Sequence, residues 1–250
     1  MKVLLLLGAE SRAGAATAII EAGLALDAIA VPPAVPKQRL EETARSLGCG
    51  FLEATPTSVS RVLRSRRPDV VLSVGWPYLL GPEILDLPCL LLNSHPTLLP
   101  KYRGPNPWYH VLANGEKKSG VTIHKIDAGM DTGPILHQRE FAVTLFDTYR
   151  SLRAKTLAIE AVAIREALEL VRAGALRLRP QKEDEATSYP GIRKPEHSRI
   201  DPARPLLDLV DEIRACDPDR FPAYFDYHGQ KVYVRLSRAS RPEGDHPESL

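Results

Sequence analysis

Continuous apolar runs constrain this chain more than any other feature. Val3–Leu7 reads VLLLL, and similar runs dominate "DVVLSVGW" (Asp69–Trp76) and "CLLLNSH" (Cys89–His95). A strand alternates its side chains between two faces, so an unbroken apolar run has to be buried on both. Leu26–Val31 and a short Phe51–Leu52 read as further strands. Between them lie helical segments: "SRAGAATAIIEAG" ending at Gly23, "KQRLEETARSLG" closing at Gly48, and "SVSRVLRSRR". Such alternation predicts a Rossmann-like α/β fold, a mostly parallel twisted sheet with helices on both faces.

After residue 120 the pattern changes. "GVTIHKID" sets Val121, Ile123 and Lys125 against Thr122, His124 and Ile126, which leaves its inward side ambiguous. "PILHQREFAV" reads as an antiparallel strand near the sheet's edge. A long amphipathic helix follows over Thr148–Ala173, with Leu152, Leu157, Val162, Ile164, Leu168 and Val171 on its apolar side and Gly174 as its stop. The expected organisation is a catalytic domain over 1–178, a proline- and charge-rich linker over 179–203, and a small module over 204–238. That module comprises the helix "PLLDLVDEIRACD" and a hairpin turning at His228-Gly229. Residues 239–250 read as a disordered polar tail.

Composition narrows the function. Apolar residues make up 44% and charged residues 26%, as in an ordinary globular protein. A net charge of only +2 argues against a grip on nucleic acid by charge alone. Cys49, Cys89 and Cys216 form no CxxC pair and read as thiols in a reducing, cytoplasmic compartment. "MKVLLLLGAE" reads as a first strand, and neither a signal peptide nor a membrane span is expected.

Several tempting features carry no site. "GAESRAG" follows the first strand but lacks GxGxxG. "RVLRSRR" reads as a solvated helix face. His110, His124 and His137 lack metal-ligand spacing, so no metal is expected. Ser94 has no GxSxG elbow. Asn93 and His95 are different. Two residues apart at a strand's carboxyl end, they point to one face, where open α/β sheets place their ligands. Downstream, "GVTIHKIDAGMDTGPIL" carries Asp127 and Asp131 among Gly129 and Gly133. Such a loop lets backbone approach a ligand closely, and lets an acid reach a histidine on a neighbouring strand.

The run "NSHPTLLPKYRGPNPWYHVLANGEKKSGVTIHKIDAGMDTGPI" resembles the core of formyltransferases that use 10-formyltetrahydrofolate. These include methionyl-tRNA formyltransferases, glycinamide ribonucleotide transformylases and sugar N-formyltransferases. The resemblance covers about residues 68–140 and, by fold pattern, extends to about 175. It implies a catalytic set of Asn93, His95 and Asp131, with no metal. It also implies a pterin pocket lined by main chain around Leu79 and Leu80 in "GWPYLLGPEIL", closed by the loop containing Asp127, Gly129 and Met130. An Asn amide can stabilise the oxyanion that forms when an amine attacks a formyl carbon. His95 can act as base or as oxyanion stabiliser, and Asp131 can fix its tautomer.

The resemblance also bears on the acceptor. Methionyl-tRNA formyltransferases are typically longer, with a C-terminal barrel, whereas this chain has only an abbreviated module. A nucleotide-linked amino sugar is therefore the favoured acceptor, with a short methionyl-tRNA formyltransferase as the alternative and tRNA the less expected partner. Trp108 and Tyr109 are candidates to stack on a base or sugar, or to pack a helix. Lys101 and Arg103 are candidates to meet a phosphate. A formyltetrahydrofolate hydrolase and a non-catalytic folate- or nucleotide-binding module remain as other readings. Pairing of the terminal hairpin across a two-fold axis would give a homodimer.

Overall fold

The computed structural model describes residues 1–250. Seven strands form one sheet: β1 (Lys2–Leu7), β2 (Ala25–Val31), β3 (Gly50–Glu53), β4 (Val70–Val74), β5 (Leu90–His95), β6 (Lys118–Lys125) and β7 (Ile135–Ala142), in the order β3-β2-β1-β4-β5-β6-β7. Strands β1 to β5 are parallel; β6 and β7 run antiparallel. "PILHQREFAV" therefore forms the edge strand expected of it.

Period-two alternation divides the core between two faces. Val3, Leu5 and Leu7 of β1 pack with Ile29, Leu72 and Leu92 under α1 (Gly14–Glu21), α2 (Gln38–Ser46) and α6 (Tyr149–Arg172). Leu4 and Leu6 pack with Val71 and Leu91 under α3 (Val59–Arg66) and α4 (Pro82–Leu85). The uninterrupted apolar run of β1, and that of β4 broken only by Ser73, follow from this double coverage. Helix α6 starts where its N-cap expects: the Thr148 side chain accepts from the Ser151 N–H, and the Ser151 hydroxyl accepts from the Thr148 N–H. No helix is long and apolar enough to cross a membrane.

Strand β6 resolves its ambiguity by burying both sides. Val121 and Ile123 join the α6 face, while Thr122 and His124 lie buried on the other. Helix α5 (Pro107–Ala113) packs beside α7 (Leu206–Ala215), and the hairpin of β8 (Tyr224–Tyr227) and β9 (Gln230–Tyr233) follows. Its turn residues, His228 at φ 46° and Gly229 at φ 78°, have the left-handed backbone of a two-residue hairpin turn.

The stretch 179–203, expected as a linker from its prolines and charges, is tied to the loops beside the sheet by hydrogen bonds. Arg179 exchanges backbone hydrogen bonds with Ile135, the Arg103 N–H donates to Thr187 O, and the Tyr189 N–H donates to Arg103 O. The Gln181 amide donates to Asp131 O at 2.8 Å and Gly133 O at 2.7 Å. This segment is held by carbonyls of the loops beside the sheet's carboxyl end. Residues 239–250 lie along the start of α6, where the Leu250 N–H donates to Phe146 O and Ser249 is buried.

Candidate active site

At the carboxyl end of β5, side chains alternate as a strand requires. Ser94 turns toward α6, and its hydroxyl donates to buried Glu160 at 2.7 Å. Asn93 and His95 turn to the opposite face and meet Asp131 from the loop after β6. The Asn93 Nδ2 donates to Asp131 Oδ1 at 3.3 Å, and His95 Nδ1 lies 3.3 Å from Asp131 Oδ2. The Gly104 N–H donates to the same Oδ2 at 2.9 Å. The three residues matched to the formyltransferase trio thus converge.

Each is oriented from behind. The Ser73 hydroxyl on β4 donates to Asn93 Oδ1 at 2.8 Å, which aims the Asn93 NH₂ away from β4. That NH₂ lies 3.1 Å from His124 Nε2, directly across the β5–β6 register. His95 is 4% exposed, and its Nε2 faces Tyr102 O at 2.8 Å. Both His95 nitrogens therefore face oxygen acceptors, an arrangement fully satisfied when both carry hydrogen.

Burial opposes ionisation of Asp131. The charge of His95, contacts with His124 and His95, and the Gly104 N–H outweigh that cost and hold the carboxyl well below the usual range. Asp131 has φ 58°, and Tyr102 and Asn106 opposite it have φ 65° and 58°. Non-glycine residues rarely adopt this region, and such positions gather at functional sites. Gly133 keeps the loop tight: a Cβ there would sit 1.8 Å from Lys125 O.

The residues expected around the pterin lie in the loop after β4 and the loop after β6. Leu79 is 71% exposed, and Leu80 and Ile126 pack with buried Trp76. Asp127 shapes its own loop, accepting from the Gly129 N–H at 3.1 Å and the Thr132 hydroxyl at 2.6 Å. Met130 approaches Gly104. The Trp76 Nε1 is buried with no acceptor. An exposed apolar rim beside an orphan donor suits a flat heteroaromatic ring that carries carbonyl and ring-nitrogen acceptors.

Two of the expected acceptor contacts, Arg103 and Trp108, need correction. Arg103 is buried, and its guanidinium is occupied: it forks onto Glu183 at 2.7 and 2.9 Å and donates to Gln181 Oε1. Trp108 is a packing residue, its Nε1 donating to Thr156 and its ring edge-on to Tyr149. Lys101 pairs with Glu116 at 2.9 Å on the surface. Tyr109 fares differently. It lines a cavity of about 330 Å³ with His110, Ser188, Tyr189, Arg193 and His197. Tyr189 stacks on His110 at 3.7 Å and on Tyr102 at 5.9 Å. Tyr102, whose O faces His95, thus links the cavity wall to the trio, although none of the trio lines the cavity. Burial, then the charge of Arg193, pushes His110 down to about 4.

Sequence reasoning missed Ser73, His124 and Gln181. Strand register alone could have revealed His124, because two residues facing across an antiparallel pair are neighbours.

The formyl transferase family matches residues 33–168. This chain belongs to the formyl transferase family. It is 39% identical to the methionyl-tRNA formyltransferase of Thermotoga maritima over 156 residues, which is 62% of this chain and 50% of that protein. The chain spans about half the length of the curated relatives it matches. Among solved structures, a Mycobacterium tuberculosis protein suggested to be a sugar N-formyltransferase superposes with a TM-score of 0.77 at 25% identity, covering 97% of this chain and all 100% of that one. The N-formyltransferase of Helicobacter canadensis, in complex with folinic acid and dTDP-3-aminofucose, has a TM-score of 0.71 at 19% identity, covering 93% and 86%. At that identity the likeness bears on the fold alone. Its sequence relatives are named for Met-tRNA, whereas its structural neighbours include sugar N-formyltransferases, a glycinamide ribonucleotide transformylase and the methionyl-tRNA formyltransferase of Clostridium thermocellum.

Proposed function

We propose that this chain transfers a formyl group from 10-formyltetrahydrofolate to the primary amine of a nucleotide-linked amino sugar. The observation that carries formyl transfer is the convergence of Asn93, His95 and Asp131 at the carboxyl end of β5. The folate supplies the formyl carbon, and its ring fits the rim of Leu79, Leu80 and Trp76. The incoming nitrogen forms a C–N bond to that carbon while the bond to the folate nitrogen breaks. Asn93, its amide oriented by Ser73, shifts one N–H from its long 3.3 Å contact with Asp131 to the carbonyl oxygen as negative charge builds there. His95, held between Asp131 and Tyr102 O, serves that oxygen electrostatically better than it serves as a base. Asp131 keeps His95 in place and relays through water the proton shed by the amine. That proton balances the one gained by the departing folate nitrogen.

The acceptor assignment rests on this cavity. His110, stacked on Tyr189, and Arg193, held 3.9 Å over the Tyr109 ring with its Nε unpartnered, line it and suit a nucleobase or sugar joined to phosphate. The identity to methionyl-tRNA formyltransferases favours a second reading, with Met-tRNA as acceptor. One assay separates these. The protein is incubated with 10-formyltetrahydrofolate and either a nucleotide-linked amino sugar or Met-tRNA; tetrahydrofolate release and the mass of the acceptor are followed. Release with the sugar and one added formyl group supports the proposal. Transfer to Met-tRNA alone replaces the acceptor. Amine-independent release indicates a hydrolase, and silence indicates a binding module.

Assembly and location complete the proposal. Leu206, Leu207, Tyr227 and Tyr233 are exposed on the C-terminal module, an apolar face suited to a second copy of the chain. Light scattering would report the dimer. Three unpaired cysteines suit a cytoplasmic protein.

A further inference from the structure

A second cavity, of about 270 Å³, opens where residues 234–250 pass across the start of α6 and the end of α7. It is lined by Arg150, Arg214, Arg235, Arg238 and Arg241, with Glu248 the one acidic side chain among its lining residues. Some of this charge is already matched. Arg150 pairs with Asp219 and Glu248, Arg238 with Asp245, and Arg214 with Asp211. Arg235 and Arg241 meet only backbone oxygens, those of Pro218 and Ser249.

Two further donors lack partners. Arg214 is fully buried: its Nη1 donates to Thr144 O and Asp147 O, but its Nη2 is buried with no acceptor. The Nε of Arg238 is likewise buried and unpartnered. Native proteins rarely leave buried guanidinium N–H groups unmet, and planar forks of this kind match oxyanions. Excess positive charge, orphan donors and a half-open cavity coincide in one place, away from the trio.

We propose that this cavity binds a small oxyanion, either free phosphate or the phosphate group of a phosphorylated metabolite. The bound anion accepts from Arg235 and Arg241, offsets the charge of Arg238 and of buried Arg214, and fastens the C-terminal segment to the helix pair beneath it.

Calorimetric titration with inorganic phosphate and with glycerol 3-phosphate, at ionic strength held constant with sodium chloride, tests this and separates the two sources. Saturable binding of either is expected. The double variant Arg235→Gln/Arg241→Gln breaks no ion pair and is expected to keep its fold and its formyl-transfer rate. It should bind the anion roughly ten-fold or more weakly, as loss of a charge-assisted hydrogen bond implies. Each single variant should give a smaller loss and serves if the double variant misfolds. Arg193→Gln, in the other cavity, should leave this binding unchanged. Absence of saturable binding, equal binding by the double variant, or loss in Arg193→Gln instead would overturn the assignment. So would binding of duplex RNA through these arginines without binding of either small anion.

Discussion

The Asn93 Nδ2 and the His124 Nε2 lie 3.1 Å apart across paired positions of β5 and β6. His124 Nδ1 faces Lys125 O at 2.9 Å, and its Nε2 faces both the Asn93 amide and, at 3.6 Å, Asp131 Oδ1. His124 and Ser73 together set the direction of the amide that is to meet the formyl oxygen. Asn93→Ala is expected to lower kcat by roughly 10²–10³-fold, the cost of one oxyanion donor. His124→Gln is expected to lower kcat by roughly 10–100-fold through misplacement of that donor, with KM for the folate little changed. Steady-state kinetics check both; unchanged kcat in the Asn93 variant would remove the oxyanion assignment.

Asp131 links activity to acid stability. Its carboxyl is held low against the opposing effect of burial, so it is charged wherever the protein is folded at ordinary pH. The stabilisation this confers is fully present above the unfolded value of about 3.9 and is lost as pH falls toward the folded one. Asp131→Asn should therefore lose stability relative to the parent at pH 7, with the gap narrowing between about pH 5 and pH 2. Its kcat should fall roughly a hundred-fold or more. Urea midpoints over this range give the first outcome and initial rates the second; a constant stability gap would mean that the charge is not what holds the loop.

Much of this was legible in the chain because burial writes itself into sequence. Strands covered on both faces must be continuously apolar, and β1, β4 and β5 are the runs that announced the sheet. The pair Asn93 and His95 was legible because polarity broke a greasy strand at its ligand-bearing end. His124 is hidden because both faces of β6 are buried: alternation would send Thr122 and His124 to solvent, whereas both lie buried on the face of the trio. Arg103 and the segment 179–203 misled together. A lone arginine in a glycine-proline loop suits a phosphate, and a charged, proline-rich stretch suits a linker. Each is instead the other's partner through Glu183 and Gln181, a contact between distant parts of the chain that no local pattern encodes.

His110 gives a pH dependence of its own. Burial first and Arg193 second depress it to about 4, whereas an unfolded histidine titrates near about 6.5. Between these values the unfolded chain takes up a proton that the folded chain refuses, so stability falls as pH drops from about 6.5 to about 4. Above that window the group contributes no slope. His110→Gln should flatten the decline, as seen in thermal midpoints at pH 7 and pH 5. If His110 also presents a neutral ring to the acceptor, the variant should raise acceptor KM at pH 7 and leave the folate KM unchanged.

Arg103 acts on the trio without touching it. Its guanidinium grips Glu183 with two parallel hydrogen bonds and reaches Gln181, whose amide in turn holds the carbonyls of Asp131 and Gly133. The buried fork thus fixes the backbone of the residue whose carboxylate orients His95. Arg103→Ala should loosen that loop, making it quicker to cleave in limited proteolysis. It should also lower kcat/KM by roughly ten-fold or more, because small displacements at the reacting centre are costly. Arg103→Lys keeps the charge but cannot reproduce the planar, two-bond geometry, so it should restore little. Recovery of parental activity by lysine would mean that the site needs a positive charge there, and that the fork does not position Asp131.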